Sequence, residues 1–201
     1  MIAASPDVVY VHEPFNKNIG TCKHCGLQID NWFPYVHKGN EKEFEKHMEH
    51  TLNFDYNHSA TFGKAFKKPK SFAGDYLKFF QYKLADKRVL IKDPIALFSA
   101  EWLAKKFDMD VVVVIRHPLA FVASLKVKNW KHDFNDFLNQ PELMKKLPFE
   151  KEIKEYANNQ HDIIDQGILL WNITHYMINE YQKHKDWIFV RHEDLSLNPV
   201  D

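Results

Sequence analysis

An arginine and a serine eight residues apart, Arg116 and Ser124, have the chemistry needed to bind a phosphate group. Arg116 follows the apolar run VVVVI at 111–115, and a helix is predicted from about residue 119. A guanidinium group is a planar, permanently charged fork that suits phosphate oxygens. The N-terminus of the following helix adds free N–H groups and a positive dipole end. The hydroxyl of Ser124, two turns along that helix, can donate to the same anion, and Lys126 adds charge nearby.

The alternative for this pair is purely structural. In that case Arg116 makes a surface salt bridge at the end of a sheet, and Ser124 is a serine on the helix surface. An isolated arginine after a strand more often has this structural role. The choice between the two interpretations therefore depends on the surrounding sequence.

The elements around Arg116 predict an α/β fold with a mostly parallel sheet. Four strands are predicted, at 8–12, 88–92, 111–115 and 187–191. The main helices are predicted at 41–52, 74–86, 95–107, from about 119, and at 161–184, with polar helical pieces broken by Pro141 and Pro148 in between. The run at 111–115 has no apolar–polar alternation, which predicts a strand buried on both faces. The spacing from Arg88 onward is typical of a right-handed βαβ crossover.

The segment IRHPLAFVASLK, residues 115–126, resembles the 3′-phosphate-binding signature of sulfotransferases that use 3′-phosphoadenosine-5′-phosphosulfate (PAPS). That signature is a buried strand, an arginine, a short polar step with proline, a helix, and a serine eight residues after the arginine. Arg116 and Ser124 match it residue for residue. The segments SPDVVYVHEPFN, WNITHYMINEY and FVRHEDLSLNP also resemble the bacterial and carbohydrate-type branches of this family.

The resemblance implies a P-loop-like three-layer fold, forming a single domain over residues 1–201. It implies PAPS as the co-substrate, held by Arg116 and Ser124, with no requirement for a metal. The implied reaction moves a sulfuryl group to a hydroxyl or amine acceptor, with a carbohydrate or lipid-linked sugar as the acceptor class that this branch suggests.

Glu13 is predicted as the general base, because carbohydrate sulfotransferases place a catalytic Glu after the strand that residues 8–12 resemble. A partly buried carboxylate at the edge of a sheet is expected to have a raised pKa. The structural alternative is that Glu13 caps the adjacent turn, and His12 is the alternative base.

Lys92 lies 24 residues before Arg116, where cytosolic members of the family carry an active-site lysine. We predict that it contacts the sulfuryl group or the acceptor; its structural alternative is a salt bridge with Asp93 or with a neighbouring helix. Those members use a histidine two residues later, but this chain has Pro94 there, so that part of their mechanism does not carry over. Asp93 is predicted to cap the helix near Pro94, and Trp171 is predicted to be a core residue.

Members of this family also hold the 5′-phosphosulfate in a Ser/Gly/Thr-rich loop whose backbone N–H groups face the anion. In the family that loop precedes the segment matched by SPDVVYVHEP, and the six glycines of this chain form no such loop elsewhere. The expectation is a truncated chain, incomplete at both ends, with a mis-assigned start or a degenerate copy as the alternatives. The alternative function is then a module that binds 3′-phosphoadenosine nucleotides without transfer. A P-loop kinase relative would need a Gly-x4-Gly-Lys-Ser/Thr loop, which the sequence lacks.

Cys22 and Cys25 have the Cys-x2-Cys spacing that makes half of a structural zinc site. His47 and His50, three residues apart on a predicted helix, are the candidates to complete it. However, the 21 residues between Cys25 and His47 exceed the usual finger spacing, and there is one cysteine pair only. Free thiols in an irregular loop are therefore the favoured interpretation, and no metal site is predicted.

The composition limits the possible partners. Lys plus Arg equals Asp plus Glu at 27 each, and this balance argues against a general binder of nucleic acid or membrane surfaces. No apolar run approaches the roughly 20 residues that span a bilayer, and the N-terminus does not have the pattern of a signal peptide. Two cysteines do not make a disulfide scaffold. The expectation is a soluble, cytoplasmic protein with a nucleotide as its small-molecule partner.

Overall fold

The computed structural model describes residues 5, 7–19, 25–53 and 87–197. The fold is mixed α/β, about 52% helical, with short pairs of parallel strands. The strands are β1 (Val8–His12), β2 (Arg88–Lys92), β3 (Val112–Ile115) and β4 (Ile188–Arg191). The α-helices are α1 (Glu41–Leu52), α2 (Ala100–Phe107), α3 (Pro118–Val127), α4 (Asn135–Leu138), α5 (Pro141–Met144), α6 (Glu150–Asn158), α7 (Ile163–Tyr181) and α8 (His192–Leu197). Short 3-10 helices occupy Lys17–Ile19 and Pro94–Ser99. The helix predicted at 74–86 lies outside the described residues.

The chain divides into two compact units. The first comprises Met1–Asp30 and Val36–Ile95, and the second comprises Asn31–Tyr35 and Ala96–Asp201. The prediction of one domain over the whole chain stays a prediction. Within the described ranges, no helix combines the length and the apolar character needed to cross a membrane.

In the first unit, β1 and β2 pair in parallel, with the register running from Val8 opposite Arg88 to His12 opposite Lys92. Both strands have the bounds that the sequence predicts. Helix α1 also has its predicted bounds, and Phe44 and Met48 on its apolar face are buried. The ring of Phe15, which is fully buried, stacks on Phe44 at 5.4 Å between centroids. The chain that leaves β1 is therefore anchored in the core of this unit.

In the second unit, β3 and β4 pair in parallel from Val112 opposite Ile188 to Ile115 opposite Arg191. The prediction that β3 is buried on both faces is wrong. Val113 is 7% exposed, whereas Val112 and Val114 are 42% and 51% exposed. An unbroken valine run indicates a strand, because β-branched side chains suit a pleated surface, but it does not show that both faces are covered.

The long helix α7 supplies much of the core of the second unit and packs on α3. Gly167 makes this approach possible, since a Cβ atom there would lie 3.2 Å from Val122 Cγ2 and 3.3 Å from Leu125 Cδ1. The buried core residues of this unit come from α7 itself, from other helices, from connecting segments and from β3. They are Phe98, Val113, Phe134, Phe137, Leu143, Leu147, Ile153, Leu169, Leu170, Ile173, Met177, Ile178, Tyr181 and Trp187. Helix α3, which carries Ser124, is thus held against the long helix α7.

Two prolines mark the helix boundaries that the sequence predicts. Pro141 is the first residue of α5, where its missing N–H costs nothing, and Pro148 precedes α6. The helix predicted over 95–107 differs from the structure, because its first part is a 3-10 helix and α2 begins only at Ala100. Ser99, at this junction, is buried and donates its hydroxyl to the carbonyl of Pro34 at 2.6 Å.

Candidate functional site

Arg116 lies directly after β3 in the second unit, at the carboxyl end of a parallel strand. Its Nε atom is buried and has no hydrogen-bond partner among the described residues. Leaving a buried donor unsatisfied costs about 1–3 kcal/mol, and more for a charged group. An acceptor with negative charge, such as a phosphate oxygen, would remove that cost.

The backbone of Arg116 is fixed by Trp171 of α7. The indole N–H of Trp171 donates to the Arg116 carbonyl at 3.0 Å. The same indole stacks on the His175 ring, with centroids 3.6 Å apart and planes 18° apart. The sequence-based prediction made Trp171 a core residue, but it is only half-buried and its polar atom holds the strand end. No local sequence signal points to this bond, because it joins residues 55 positions apart.

His117 and Pro118 begin α3. The Nδ1 atom of His117 accepts the N–H of Leu119 at 3.2 Å, and Pro118 contributes no N–H. The N-terminus of α3 therefore offers fewer free donors than the sequence predicts. The dipole of the helix is unaffected, so Arg116 would supply most of the hydrogen bonds to an anion at this point.

A carboxylate lies at the same turn. Glu193, in the first turn of α8, accepts the backbone N–H of His117 at 2.9 Å. Hydrogen bonds from the backbone N–H groups of His117 and of Glu193 itself lower the pKa of the Glu193 carboxyl. The carboxylate thus ties the chain that leaves β4 to the chain that leaves β3.

Ser124 lies in α3, six residues after Pro118, so it is about 9 Å further along the helix axis at about 1.5 Å per residue. It is half-buried. The structure thus places Arg116 and Ser124 on consecutive elements of one unit, a strand end and the helix that follows it. Both positions are set by packing, since β3 contributes Val113 to the core and α3 packs on α7 at Gly167.

Glu13 and Lys92 form a direct ion pair in the first unit, with Lys92 Nζ 2.5 Å from Glu13 Oε1. The parallel register explains this, because His12 and Lys92 are opposite each other and the Glu13 N–H continues the ladder to the Lys92 carbonyl at 3.0 Å. Asn16 donates to the other carboxylate oxygen at 3.1 Å, and His12 Nε2 lies 3.8 Å from it. The alternative base, His12, is more exposed and has its Nδ1 atom 3.0 Å from the Tyr10 hydroxyl.

The backbone at Glu13 is strained. Its φ is +44°, a left-handed conformation that residues other than glycine rarely adopt. Such a residue costs of order 1–3 kcal/mol and persists where the surroundings fix it. Asp93 supplies part of that restraint, since its carboxylate accepts the N–H of Phe15 at 2.7 Å and the N–H of Ile95 at 2.9 Å. The second bond confirms the prediction that Asp93 caps the turn at Pro94.

The pKa of Glu13 is lowered, so the expectation of a raised pKa is wrong. Burial alone would raise the pKa of this carboxyl. The hydrogen bonds from Lys92 and Asn16, together with the positive charges of Lys92 and His12, outweigh burial. A carboxylate at a sheet edge can be partly buried and still be acidic when a lysine from the next strand lies beside it.

No protein-family model, curated protein or solved structure matches this chain. The function must therefore be argued from the two groups of residues described above.

Proposed function

We propose that this chain is a PAPS-dependent sulfotransferase of the bacterial or carbohydrate type, in which Arg116 and Ser124 bind the 3′-phosphate of the nucleotide. The observation that carries the proposal is the buried Nε of Arg116, which has no hydrogen-bond partner in the described part of the chain. It lies at the carboxyl end of a parallel strand, just before the His117 cap of α3. Ligands of α/β proteins bind at such strand ends. The resemblance of residues 115–126 to the family signature suggests that the bound anion is the 3′-phosphate of PAPS.

The finer fold assignment belongs to this proposal. A P-loop-like three-layer fold has a parallel sheet with helices on both faces. Its support here is that both strand pairs among the described residues are parallel and that the strand before Arg116 is followed, after a short step, by a helix.

In the proposed reaction, an acceptor hydroxyl or amine attacks the sulfur of PAPS. A bond forms from the acceptor atom to sulfur, and the bond from sulfur to the bridging oxygen breaks. The electron pair stays on the nucleotide, which leaves as 3′,5′-adenosine bisphosphate. Glu13 takes the acceptor proton, and Lys92 contacts the negatively charged sulfuryl oxygens.

A second candidate function is binding of 3′-phosphoadenosine nucleotides without transfer. The observation in its favour is the low pKa of Glu13, whose carboxylate is already held by Lys92 and Asn16. An acidic carboxylate is a weak general base. This candidate keeps the roles of Arg116 and Ser124 and removes the roles of Glu13 and Lys92.

Calorimetry with two nucleotides tests the part that both candidates share. We expect 3′,5′-adenosine bisphosphate to bind at least about tenfold more tightly than adenosine 5′-monophosphate, a difference of about 1.4 kcal/mol. Arg116→Ala should remove most of this preference, and Arg88→Ala, at the exposed start of β2, should not. Equal affinity for the two nucleotides, or an unchanged preference in Arg116→Ala, contradicts the proposal.

A transfer assay separates the two candidates. The chain is incubated with ³⁵S-labelled PAPS and a panel of sugars and lipid-linked sugars, and labelled products are counted. A labelled acceptor in the wild-type reaction, with no labelled acceptor in Glu13→Gln, supports the assignment as an enzyme. Tight binding of 3′,5′-adenosine bisphosphate without any labelled product supports the binding module.

A further inference from the structure

Two tryptophans of the second unit lie together near the protein surface. The rings of Trp32 and Trp130 pack edge to face, with centroids 6.2 Å apart and planes 86° apart. Trp130 is 51% exposed, and Trp32 is half-buried. Because aromatic side chains dominate the energetics of binding interfaces, this pair is a candidate contact surface for a ligand.

The end of α3 fixes the backbone of Trp130. Asn129 adopts a left-handed conformation, with a φ of +48°, and its N–H donates to the Lys126 carbonyl at 3.0 Å. The N–H of Trp130 donates to the Leu125 carbonyl at 2.9 Å. These two bonds form a Schellman motif, in which the residue after the left-handed one commonly packs on the helix. Trp130 remains half exposed in spite of the motif, so packing on α3 does not account for the whole indole.

The segment that carries Trp32 is fixed in a different way. Phe33 has a φ of +57°, a left-handed conformation that is rare for a bulky residue. Its ring stacks on that of Phe137, with centroids 6.0 Å apart and planes 10° apart. The Gln140 side chain donates to the Phe33 carbonyl at 3.3 Å and accepts the N–H of Tyr35 at 2.7 Å. Backbone strain of this kind persists where the surroundings fix it, and it is concentrated at functional sites.

Polar side chains border the two indoles. The Asn139 amide donates to the side-chain oxygen of Asn31 at 3.4 Å, and Asn31 directly precedes Trp32. Lys128 Nζ lies 5.8 Å from the centre of the Trp130 ring. A membrane or an apolar protein partner needs a continuous apolar patch. A narrow aromatic surface bordered by amides suits instead a ligand that has both an apolar face and hydroxyl groups.

We propose that Trp32, Trp130 and the amides of Asn31 and Asn139 form a carbohydrate-binding surface. A pyranose ring presents C–H groups on one face and hydroxyl groups around its rim. The C–H groups lie on an indole, whose ring face carries partial negative charge, and the amides donate to and accept from the hydroxyls. Because the backbone holds both indoles before the sugar arrives, binding requires little further ordering.

This surface goes beyond the proposed function. It uses neither the residues assigned to the nucleotide nor those assigned to proton transfer, and it binds sugar without PAPS. Only the further step of identifying the bound sugar with the sulfuryl acceptor rests on the proposed function. The two proposals are therefore measured separately, with sugar alone for this surface and with nucleotide alone for Arg116.

The test is calorimetry on the full chain with cellohexaose, chitohexaose and hexagalacturonate, in the absence of nucleotide. We expect at least one of these sugars to bind, and Trp130→Ala to weaken that binding at least about tenfold. Trp130→Phe keeps an aromatic ring and should retain most of the affinity, whereas Asn139→Ala should lose several-fold. Leu197→Ala is the matched control, since it removes another exposed apolar side chain of the same unit and should leave sugar binding unchanged.

Circular dichroism checks that each variant is folded, and the affinity of Trp130→Ala for 3′,5′-adenosine bisphosphate should equal that of the wild type. If none of the three sugars binds, or if Trp130→Ala binds them with wild-type affinity, the proposal is overturned. Vesicles of phosphatidylcholine and phosphatidylserine form the second arm of the test. Binding to vesicles that depends on Trp130, without binding of any sugar, assigns the surface to membranes and also overturns the proposal.

Discussion

Arg116 shows how the neighbours of a single residue can suit it to the proposed binding role. It follows β3 at the end of the strand, Trp171 donates to its carbonyl, and its buried Nε has no hydrogen-bond partner within the ranges that the structure describes. The suitability of an arginine at 116 and a serine at 124 for binding phosphate could be inferred from the sequence. The role of Trp171 could not, because the bond joins residues 55 positions apart and depends on how α7 packs.

Trp171→Phe keeps an aromatic ring at this position and removes the N–H that bonds to Arg116. A typical hydrogen bond contributes about 0.5–1.5 kcal/mol, so we expect a loss of about 1 kcal/mol in the free energy of unfolding. We also expect a several-fold weaker affinity for 3′,5′-adenosine bisphosphate, measured by calorimetry. Trp130→Phe, at an exposed tryptophan of the same unit, should change neither quantity. If Trp171→Phe binds the nucleotide with wild-type affinity, the Trp171 hydrogen bond does not support the binding site.

The Glu13–Lys92 pair leads to a prediction about how the stability of the folded chain depends on pH. The pKa of Glu13 in the folded chain lies below its ordinary value of 4.5. Its contribution to stability is therefore present above about pH 4.5 and is lost as the pH falls through the lowered pKa. In Lys92→Met only burial and weaker partners remain, so the pKa should rise and this pH dependence should shrink.

The measurement is urea unfolding between about pH 3 and pH 6, with the Glu13 carboxyl followed by NMR. We expect Lys92→Met to cost roughly 0.2–1 kcal/mol at pH 6, because half of the lysine side chain is exposed and screened. Lys145→Met is the control, since it breaks a pair of equal length, with Glu142, that lies on the surface of a helix. A Glu13 pKa that is the same in wild type and Lys92→Met contradicts the assigned cause.

At the scale of elements, local sequence predicted where most strands and helices lie, and tertiary packing decided how they are covered. β1, β2 and α1 match their predicted bounds, because short apolar runs and a regular spacing of Phe44 and Met48 depend on few long-range contacts. The covering of β3 could not be predicted, because a valine run gives the same signal whether one face or two faces are buried. The Glu13–Lys92 contact likewise follows from strand register, which the sequence does not state.

The close packing of α3 on α7 leads to a prediction about the effect of a larger residue at position 167. In Gly167→Val, the added methyl groups meet Val122 and Leu125, whose atoms already lie 3.2–3.4 Å from the place of a Cβ. Overpacking of this kind costs typically about 1–3 kcal/mol, and it should also displace Ser124 and weaken binding of 3′,5′-adenosine bisphosphate. The readouts are chemical denaturation and calorimetry. Ile168→Val, at the exposed neighbouring position, should leave both within about 0.5 kcal/mol of wild type.

At the scale of the whole molecule, ligand binding and stability are linked. A ligand that binds only the folded state raises the free energy of unfolding by RT ln(1 + [L]/Kd), which is about 2.7 kcal/mol at a hundredfold excess over Kd. If Arg116 and Ser124 hold the 3′-phosphate, then 3′,5′-adenosine bisphosphate should raise the midpoint of thermal unfolding and adenosine 5′-monophosphate at the same concentration should raise it much less. Differential scanning fluorimetry measures both.

Two variants, Arg116→Ala and Glu13→Gln, show which residue is responsible for the difference between the two nucleotides. In Arg116→Ala most of the difference between the two midpoint shifts should disappear, because only Ser124 is left to distinguish the two nucleotides. In Glu13→Gln the preference for the 3′-phosphate should persist, since Glu13 is assigned to proton transfer and not to the nucleotide. An equal shift by both nucleotides in the wild-type chain would place the 3′-phosphate outside the reach of Arg116, whatever activity the chain has. If Arg116→Ala still prefers the nucleotide with the 3′-phosphate, residues other than Arg116 recognise that group.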